Sequence, residues 1–340
     1  MSSDRSWLLH ALNIADKGRG QCAPNPAVGA VLVRDEKLIS EGFHQGPGLP
    51  HAEVEALRGH EKEAEGATLF VSLEPCCHWG RTPPCTDLLK ESKLRRVVYA
   101  VRDPNPKVSG GGQSQLRDAG IACEQMFLPE ADRFYESYRF WWSQGRPYLT
   151  AKLALSLDGK IAQGEGKPLA ITGEEARAFT HEQRRRSDAI LTSLKTVRAD
   201  DPELNVRLGG ESLKKQLFVL GNGEFPAGAR ILSTAKTVTW ISERPTGLIP
   251  PGVEVWPGDL ESNLPKIQMH DLWIEAGGTL FKSLWEKGLV QRAYLYVAPK
   301  WLGEEALSAF PKGILGFPGE GSKVSWRMAG TDAICEVTRS

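Results

Sequence analysis

Short β-rich runs alternate with helix-patterned segments along this chain, and a single Gly145-Arg146-Pro147 step interrupts the alternation once. Leu8, Ala11, Leu12 and Ala15 recur at helical spacing, and Gly18 and Gly20 close that first helix. Residues 28–33 and 38–43 read as strands joined by the charged turn Arg34-Asp35-Glu36-Lys37. A helical stretch at 51–57, a buried strand at 68–73, a helix at 87–92 and a buried strand at 96–101 follow, and segments 115–119 and 121–126 continue the rhythm. This pattern predicts a sheet with helices packed on its faces.

Residues 129–145 are helical and aromatic, carrying Phe134, Tyr135, Tyr138, Phe140, Trp141 and Trp142. The simplest reading is packing material at a domain junction, with substrate stacking as the alternative. A length of 340 residues suits two domains, placed at 1–146 and 147–340. The second half predicts a polar helix at 173–186 and strands at 189–192, 217–220, 237–241 and 272–274. A helix then runs to Lys287, and a strand at 293–298 completes the set; 208–215 and 242–259 read as loop-rich surface.

The chemistry concentrates in the first half. His51-Ala52-Glu53, then Pro75-Cys76 and Pro84-Cys85, offer one imidazole, two thiols and a carboxylate. Three protein ligands leave the fourth tetrahedral position of a zinc open for water. Water on zinc loses a proton near neutral pH and can attack an amidine-like ring carbon. Glu53 sits where it can carry that proton, and H-x-E with paired Pro-Cys steps is the pattern of zinc nucleobase deaminases. The expected ligands are therefore His51, Cys76 and Cys85, with Glu53 catalytic. The competing reading is ordinary buried thiols and a surface histidine. Cys77 and His78 are expected to line the loop, because a fourth protein ligand would close the water position. Asn25, in a rigid Pro-Asn-Pro turn, can read a pyrimidine edge or a ribose hydroxyl.

Lys+Arg and Asp+Glu both number 42, which argues against nucleic acid as a partner but leaves room for a small phosphorylated substrate. Six cysteines are too sparse for a disulfide framework, and zinc-binding thiols want a reducing compartment. The N-terminal segment lacks a secretory apolar core, and no run approaches about 18 apolar residues. The expectation is a cytoplasmic protein with no membrane association.

Taken in order, PNPAVG (24–29), HAE (51–53), LEPC (73–76), GRTPPC (80–85) and DPNPKVSGGG (103–112) resemble the bifunctional deaminase/reductases of riboflavin biosynthesis. The second half adds KLALSLDGKIA (152–162), TVRADDPELNVR (196–207), IEAGGTLFKSLWEKGLV (274–290) and YVAPKWLG (296–303). The long GRTPPC loop separates this pattern from the P-C-x-x-C of cytidine and tRNA-adenosine deaminases. The resemblance implies an α/β protein: a cytidine-deaminase-like α/β/α domain followed by a dihydrofolate-reductase-like α/β domain. It implies zinc-dependent deamination of 2,5-diamino-6-(5-phosphoribosylamino)pyrimidin-4(3H)-one, then NADPH-dependent reduction of the ribosyl chain to ribityl.

By position, the resemblance assigns cofactor contacts to Ala154, Ala170, Thr196, Asp200, Asn222 and the segment Gly277, Gly278, Thr279, Leu280, Phe281, Lys282 and Ser283. It assigns substrate contacts to Asn25, Pro168, Arg184, Leu204, Arg207 and Glu275. Two arginines matching phosphate oxygens is sensible chemistry. The paired glycines open a helix whose backbone N–H groups suit a diphosphate. Asp200 is a positional candidate for the proton donor, and a homo-oligomer would form through the reductase domain. The chain departs from many relatives at Ala170, where Trp is common, at Gly221 and Gln291, where Asp is common, and at Cys22, where Thr is frequent. Two other readings are a deaminase whose second domain only binds or dimerises, and a nucleic-acid-editing deaminase.

Overall fold

A computed structural model describes residues 3–80, 82–163 and 169–339. The chain forms two compact units, Met1–Gly145 and Arg146–Ser340.

The first unit runs α1 (Ser3–Asp16), β1 (Gly29–Arg34), β2 (Lys37–Phe43), α2 (Ala52–Leu57), β3 (Thr68–Leu73), α3 (Cys85–Glu91), β4 (Arg96–Val101), α4 (Gly111–Asp118), β5 (Ala122–Gln125), α5 (Pro129–Phe134) and α6 (Glu136–Gln144). Its sheet has the order β2-β1-β3-β4-β5. The β1 strand is antiparallel to β2 and β3, whereas β3, β4 and β5 are parallel. Period-2 alternation sends Ala30 and Leu32 to one face, against Ala56, Leu57, Leu89 and Leu116 of α2, α3 and α4. Val31 and Val33 go to the other face, against Leu8, Ala11 and Leu12 of α1 and Tyr135 and Tyr138 near α5 and α6. Each fully buried leucine contributes roughly 1.5–3 kcal/mol, so both layers are needed to hold the sheet. The single helix expected at 129–145 is broken at Tyr135, which ends α5 and precedes α6. The Tyr135 hydroxyl donates to the Ala27 carbonyl at 2.9 Å, and it also lies 2.7 Å from the Ser72 hydroxyl.

The second unit runs β6 (Tyr148–Ser156), β7 (Lys160–Ala162), α7 (Glu174–Arg186), β8 (Ala189–Ser193), α8 (Leu194–Asp200), β9 (Val206–Leu208), β10 (Glu211–Leu213), β11 (Gln216–Leu220), β12 (Gly223–Glu224), α9 (Ile231–Thr234), β13 (Thr237–Ser242), β14 (Pro245–Thr246) and β15 (Val253–Pro257). Then come α10 (Leu260–Asn263), β16 (Asp271–Glu275), α11 (Gly278–Glu286), β17 (Arg292–Ala298), β18 (Leu307–Ser308), β19 (Lys323–Ala329) and β20 (Asp332–Thr338). Its main sheet has nine strands, ordered β15-β13-β11-β8-β16-β6-β17-β20-β19. From β15 to β17 it is parallel, and the β19–β20 hairpin adds antiparallel to β17. One face packs Leu260, Phe281, Leu284 and Trp285 against the sheet; the other packs Ala176, Leu194, Val197 and Ile231.

Strand 293–298 therefore does not complete the set. Every residue of β19 from Lys323 to Met328 is exposed, so it carries no apolar run to mark it. The β15 strand lies inside the segment read as loop; its inward residues Val253 and Val255 alternate with Glu254 and Trp256 over too short a span to stand out.

Candidate functional site

In the first unit the chemistry collects beyond the carboxyl ends of β3 and β4, where open α/β sheets place their ligands. His51 caps α2, Cys76 lies three residues past β3, and Cys85 is the first residue of α3. His51 Nδ1 lies 3.1 Å from Cys85 Sγ and 3.5 Å from Cys76 Sγ, and the three ligand atoms are all within 4.8 Å of one another. His51 Nε2 meets the Thr82 hydroxyl at 3.2 Å, a contact that fixes the ring with Nδ1 toward the thiols. The Cys85 thiol donates to Cys76 and, against the opposing effect of burial, holds it down to about 4; His51 and the Cys85 backbone N–H, 3.2 Å away, add to this. Cys85 is pushed up by the same neighbouring thiolate and by burial, and His51 is raised by its hydrogen bond to Cys76. One imidazole and two thiols, one already stabilised as thiolate, form a donor set that fits zinc with an open fourth position.

Glu53 projects from the first turn of α2, is 4% exposed, and is raised first by burial and then by the Cys76 charge. It lines one cleft of about 320 Å³ with His51, Cys76 and Asn25. The Asn25 amide nitrogen is 3.1 Å from His44 Nε2, and His44 Nδ1 is 3.0 Å from the Pro50 carbonyl. Nδ1 therefore donates to Pro50 and Nε2 accepts from Asn25. Cys77 points away, toward the Lys107 and Val108 carbonyls, while His78 lines the cleft.

Sequence reading missed His44, Asp103 and Asn105, which also line the cleft. The signal was Asp103-Pro104-Asn105-Pro106, two stiff X-Pro steps directly after a parallel strand. Burial pushes Asp103 up to about 7, while its Oδ1 accepts from the Asn105 N–H at 2.8 Å and the Tyr138 hydroxyl at 3.2 Å. Below it, buried Glu74 accepts from the backbone N–H groups of Asp103 (3.3 Å), Gly110 (3.0 Å) and Gln113 (3.3 Å). The aromatic helix contributes Tyr138, Trp141 and Trp142 to the same cleft. Packing alone therefore does not describe it.

In the second unit, Arg184 and Glu275 meet at the carboxyl edge of the parallel strands. Arg184 Nε and Nη2 donate to the two Glu275 oxygens at 2.5 and 3.0 Å, and Nη1 donates to the Asn205 carbonyl at 2.8 Å. Trp273 Nε1 donates to Glu275 at 2.9 Å. Opposite Glu275 in register stands Lys152, which the sequence reading passed over. Burial lowers its ammonium, against the pull of Glu275, and Nζ lies 5.2 Å from the Tyr296 ring centre. A charge inside the apolar strand β6 was the available signal.

Arg207 pairs with Glu203 and donates to Asn205 Oδ1 at 2.7 Å. Leu204 is 3% exposed in the core with φ +47°, so it can present only backbone. Gly277 caps α11, and a Cβ on Gly278 would lie 1.9 Å from the Ala309 carbonyl oxygen, so only glycine fits there. Phe281 is buried in the core and Lys282 donates to the Gly313 carbonyl at 2.8 Å, so that segment offers its backbone and the exposed Thr279 and Ser283. Leu280 packs partly buried against the core beside Phe281.

Thr196 bonds the Ser193 hydroxyl at 2.8 Å, and Asp200 is exposed at the end of α8. Asn222 Oδ1 accepts from Ser242, Glu243 and Arg244, and lines a second cavity of about 410 Å³ with Ser193, Lys195 and Arg198. Among the described residues, none that lines it carries a carboxylate. Ala154 packs half-buried on β6, and the Ala170 carbonyl accepts from Lys300 at 2.9 Å. Pro168 and Arg81 lie outside the described residues.

The departures have local reasons. Gly221 has φ +146°, and a Cβ there would lie 3.0 Å from Leu194 Cβ. The Gln291 side chain accepts from the Leu149 N–H at 2.9 Å, and Cys22 Sγ donates toward the Gly18 and His44 carbonyls.

A zinc-type cleft on one α/β unit, with a parallel-sheet unit holding a buried Arg–Glu pair on the other, defines a two-domain deaminase and reductase. Residues 1–101 match the cytidine and deoxycytidylate deaminase zinc-binding region, and residues 147–338 match the RibD C-terminal domain. The riboflavin biosynthesis protein RibD of Aquifex aeolicus is 38% identical over 318 residues, covering 88% of each chain; that of Escherichia coli is 36% identical, covering 93% of this chain and 92% of its own. The solved Acinetobacter baumannii RibD superposes with a TM-score of 0.87 at 34% identity, and the Thermotoga maritima deaminase/reductase with 0.90 at 32%, each covering 99% of both chains. The chain belongs to the RibD family: it is a bifunctional deaminase and reductase of riboflavin biosynthesis, with a cytidine-deaminase-like zinc domain and a dihydrofolate-reductase-like domain that uses NADPH. It acts on small molecules.

Proposed function

We propose that His51, Cys76 and Cys85 hold the zinc and that Glu53 moves the protons of deamination. The observation carrying this is the convergence of the three ligand atoms within 4.8 Å, at a cleft that His51, Cys76 and buried Glu53 line. Zinc bound there supplies a water acidic enough to act as nucleophile at neutral pH. Glu53 would take the water's first proton at its carboxylate and pass it to the ring nitrogen, then carry the second to the leaving amine. Asn25, held by His44, orients the pyrimidine edge. The substrate is 2,5-diamino-6-(5-phosphoribosylamino)pyrimidin-4(3H)-one, and residues 1–146 form the domain that handles it.

Residues 147–340 then reduce the ribosyl chain. NADPH supplies the hydride. The Gly277–Gly278 backbone faces its diphosphate, and the cationic cavity of Lys195, Arg198 and Asn222 suits a phosphate-bearing end. Thr196 and Asp200 lie on the same helix, α8, as Lys195 and Arg198, with Ala154 and Ala170 toward the nicotinamide. Arg184 is engaged by Glu275, so Arg207, exposed and exchangeable from Glu203, takes the 5-phosphate. Lys152 Nζ, beside Glu275, bears the proton for the reduction, a better-placed group than exposed Asp200.

Two copies pair through the second unit, where the edge strand β19 exposes Val324, Trp326 and Met328; sedimentation of Trp326→Glu against the parent checks this. Zero net charge supports a small-molecule substrate over nucleic acid. Two thiols set aside for zinc support a reducing cytoplasm; among the described residues no cysteine is in a disulfide and no helix is long and apolar enough to cross a membrane. The test is incubation of purified protein with the pyrimidine and NADPH. Ammonia release without NADPH oxidation would leave only the deaminase half of this reading.

A further inference from the structure

The cleft beside His51, Cys76 and Cys85 has two kinds of wall. Asn25, His44 and Asp103 present hydrogen-bonding groups, whereas α6 presents two adjacent indoles. Trp141 and Trp142 stand nearly perpendicular, 83° apart with ring centres at 5.2 Å, and Trp142 packs edge-on against Tyr138 at 6.4 Å. Tyr138 is 5% exposed and its hydroxyl donates to Asp103. The indoles are thus braced by a buried side chain that also bonds the polar wall.

Stereochemistry gives this arrangement a purpose. Water attacks a trigonal ring carbon along a line perpendicular to the ring plane. One face of the pyrimidine must therefore turn toward the metal-binding triad, its edge toward the hydrogen-bonding groups, and its remaining face toward something flat and apolar. Helix α6 could have met the rest of the unit with aliphatic residues; at the cleft it offers indoles instead.

We propose that the Trp141–Trp142 pair forms the aromatic wall that positions the pyrimidine for deamination, one indole face-on to the ring and the other edge-on. The inference rests on the reading that deamination occurs in this cleft. The two rings act on substrate orientation and affinity and take no part in proton transfer, so they are positioning residues.

The test compares Trp141→Phe with Trp141→Leu, and likewise at Trp142, in the full-length zinc-loaded enzyme. Zinc content reports that the cleft is intact, and steady-state deamination gives KM and kcat. Stacking on an aromatic residue predicts that the Leu variants raise KM about tenfold or more while the Phe variants stay near the parent, kcat changing far less than KM. If Leu and Phe variants that retain zinc share one KM, stacking is overturned and the helix only fills space. Glu53→Gln separates this from the underlying reading. Persistent deamination in that variant would move the reaction out of the cleft altogether, whereas its loss alongside equal Leu and Phe values would overturn the stacking alone.

Discussion

Arg184 grips Glu275 at two points, with both side chains nearly removed from water. Burial alone would raise Glu275, but the guanidinium, helped by Lys152 and the Trp273 indole, holds it down to about 2 against an ordinary value of 4.5. A carboxylate depressed on folding stabilises the folded state above its unfolded pKa and loses that contribution as pH falls through the folded one. Ionisation of Glu275 therefore favours the folded state above pH 4.5, an effect lost progressively toward pH 2. Urea unfolding of the second unit between those pH values should show the decline, and Glu275→Gln should flatten it. That variant should also be destabilised, by roughly 3–5 kcal/mol near neutrality, since it leaves Arg184 buried without its counter-charge.

Glu53→Gln should retain zinc, because the carboxylate is not among the three converging ligand atoms. Deamination should fall about 10²–10⁴-fold, while reduction of supplied deaminated intermediate continues. Metal analysis beside two separate rate assays checks all three. Loss of zinc would make Glu53 a ligand.

Chelation of the metal, or Cys85→Ser, should abolish deamination and leave NADPH oxidation on supplied intermediate unchanged. The two activities reside on separately folded units, each with its own core. Readdition of zinc should restore the chelated parent but not Cys76→Ser.

Lys195→Glu replaces a cation with a carboxylate in the cavity that Arg198 and Asn222 also line. Dissociation constants from NADPH fluorescence titration should weaken by about tenfold or more, and NADH should be affected much less, because only the former carries the extra phosphate. Equal weakening of both would remove this cavity from phosphate recognition.

Gly278→Ala drives a methyl group into the Ala309 carbonyl. Overpacking of this kind costs about 1–3 kcal/mol, and the displaced helix start should cost NADPH binding while deamination is retained. Differential scanning calorimetry and nucleotide titration check the two parts.

Much of the architecture was legible because most elements carry strong periodicity: β3 and β4 occupy the expected residues, and α1 its expected apolar stripe. The outer strands were not, since exposed β19 has no reason to be apolar. At the sites, His51, Glu53, Cys76 and Cys85 were readable as a spaced set of chemically special residues. His44, Asp103 and Asn105 were not, because an isolated histidine or a Pro-flanked turn has a dozen ordinary explanations until the fold brings it to the cleft. Lys152 illustrates the opposite failure. It sat within a quoted motif, and only the strand pairing with Glu275 revealed what it faces. The arginines were judged by type, as phosphate binders, when the structure gives Arg184 to a carboxylate.

Glu74 joins the segment that follows β3 to the segment that follows β4. Its carboxylate ties the backbone after β4, through Gly110 and Gln113, to the chain that delivers Cys76 two residues later. The Asp103–Gln113 segment and the chain leading to Cys76 are consequently held in one frame. An incoming pyrimidine then meets an address already written, and little of its binding energy is diverted into ordering the protein around it.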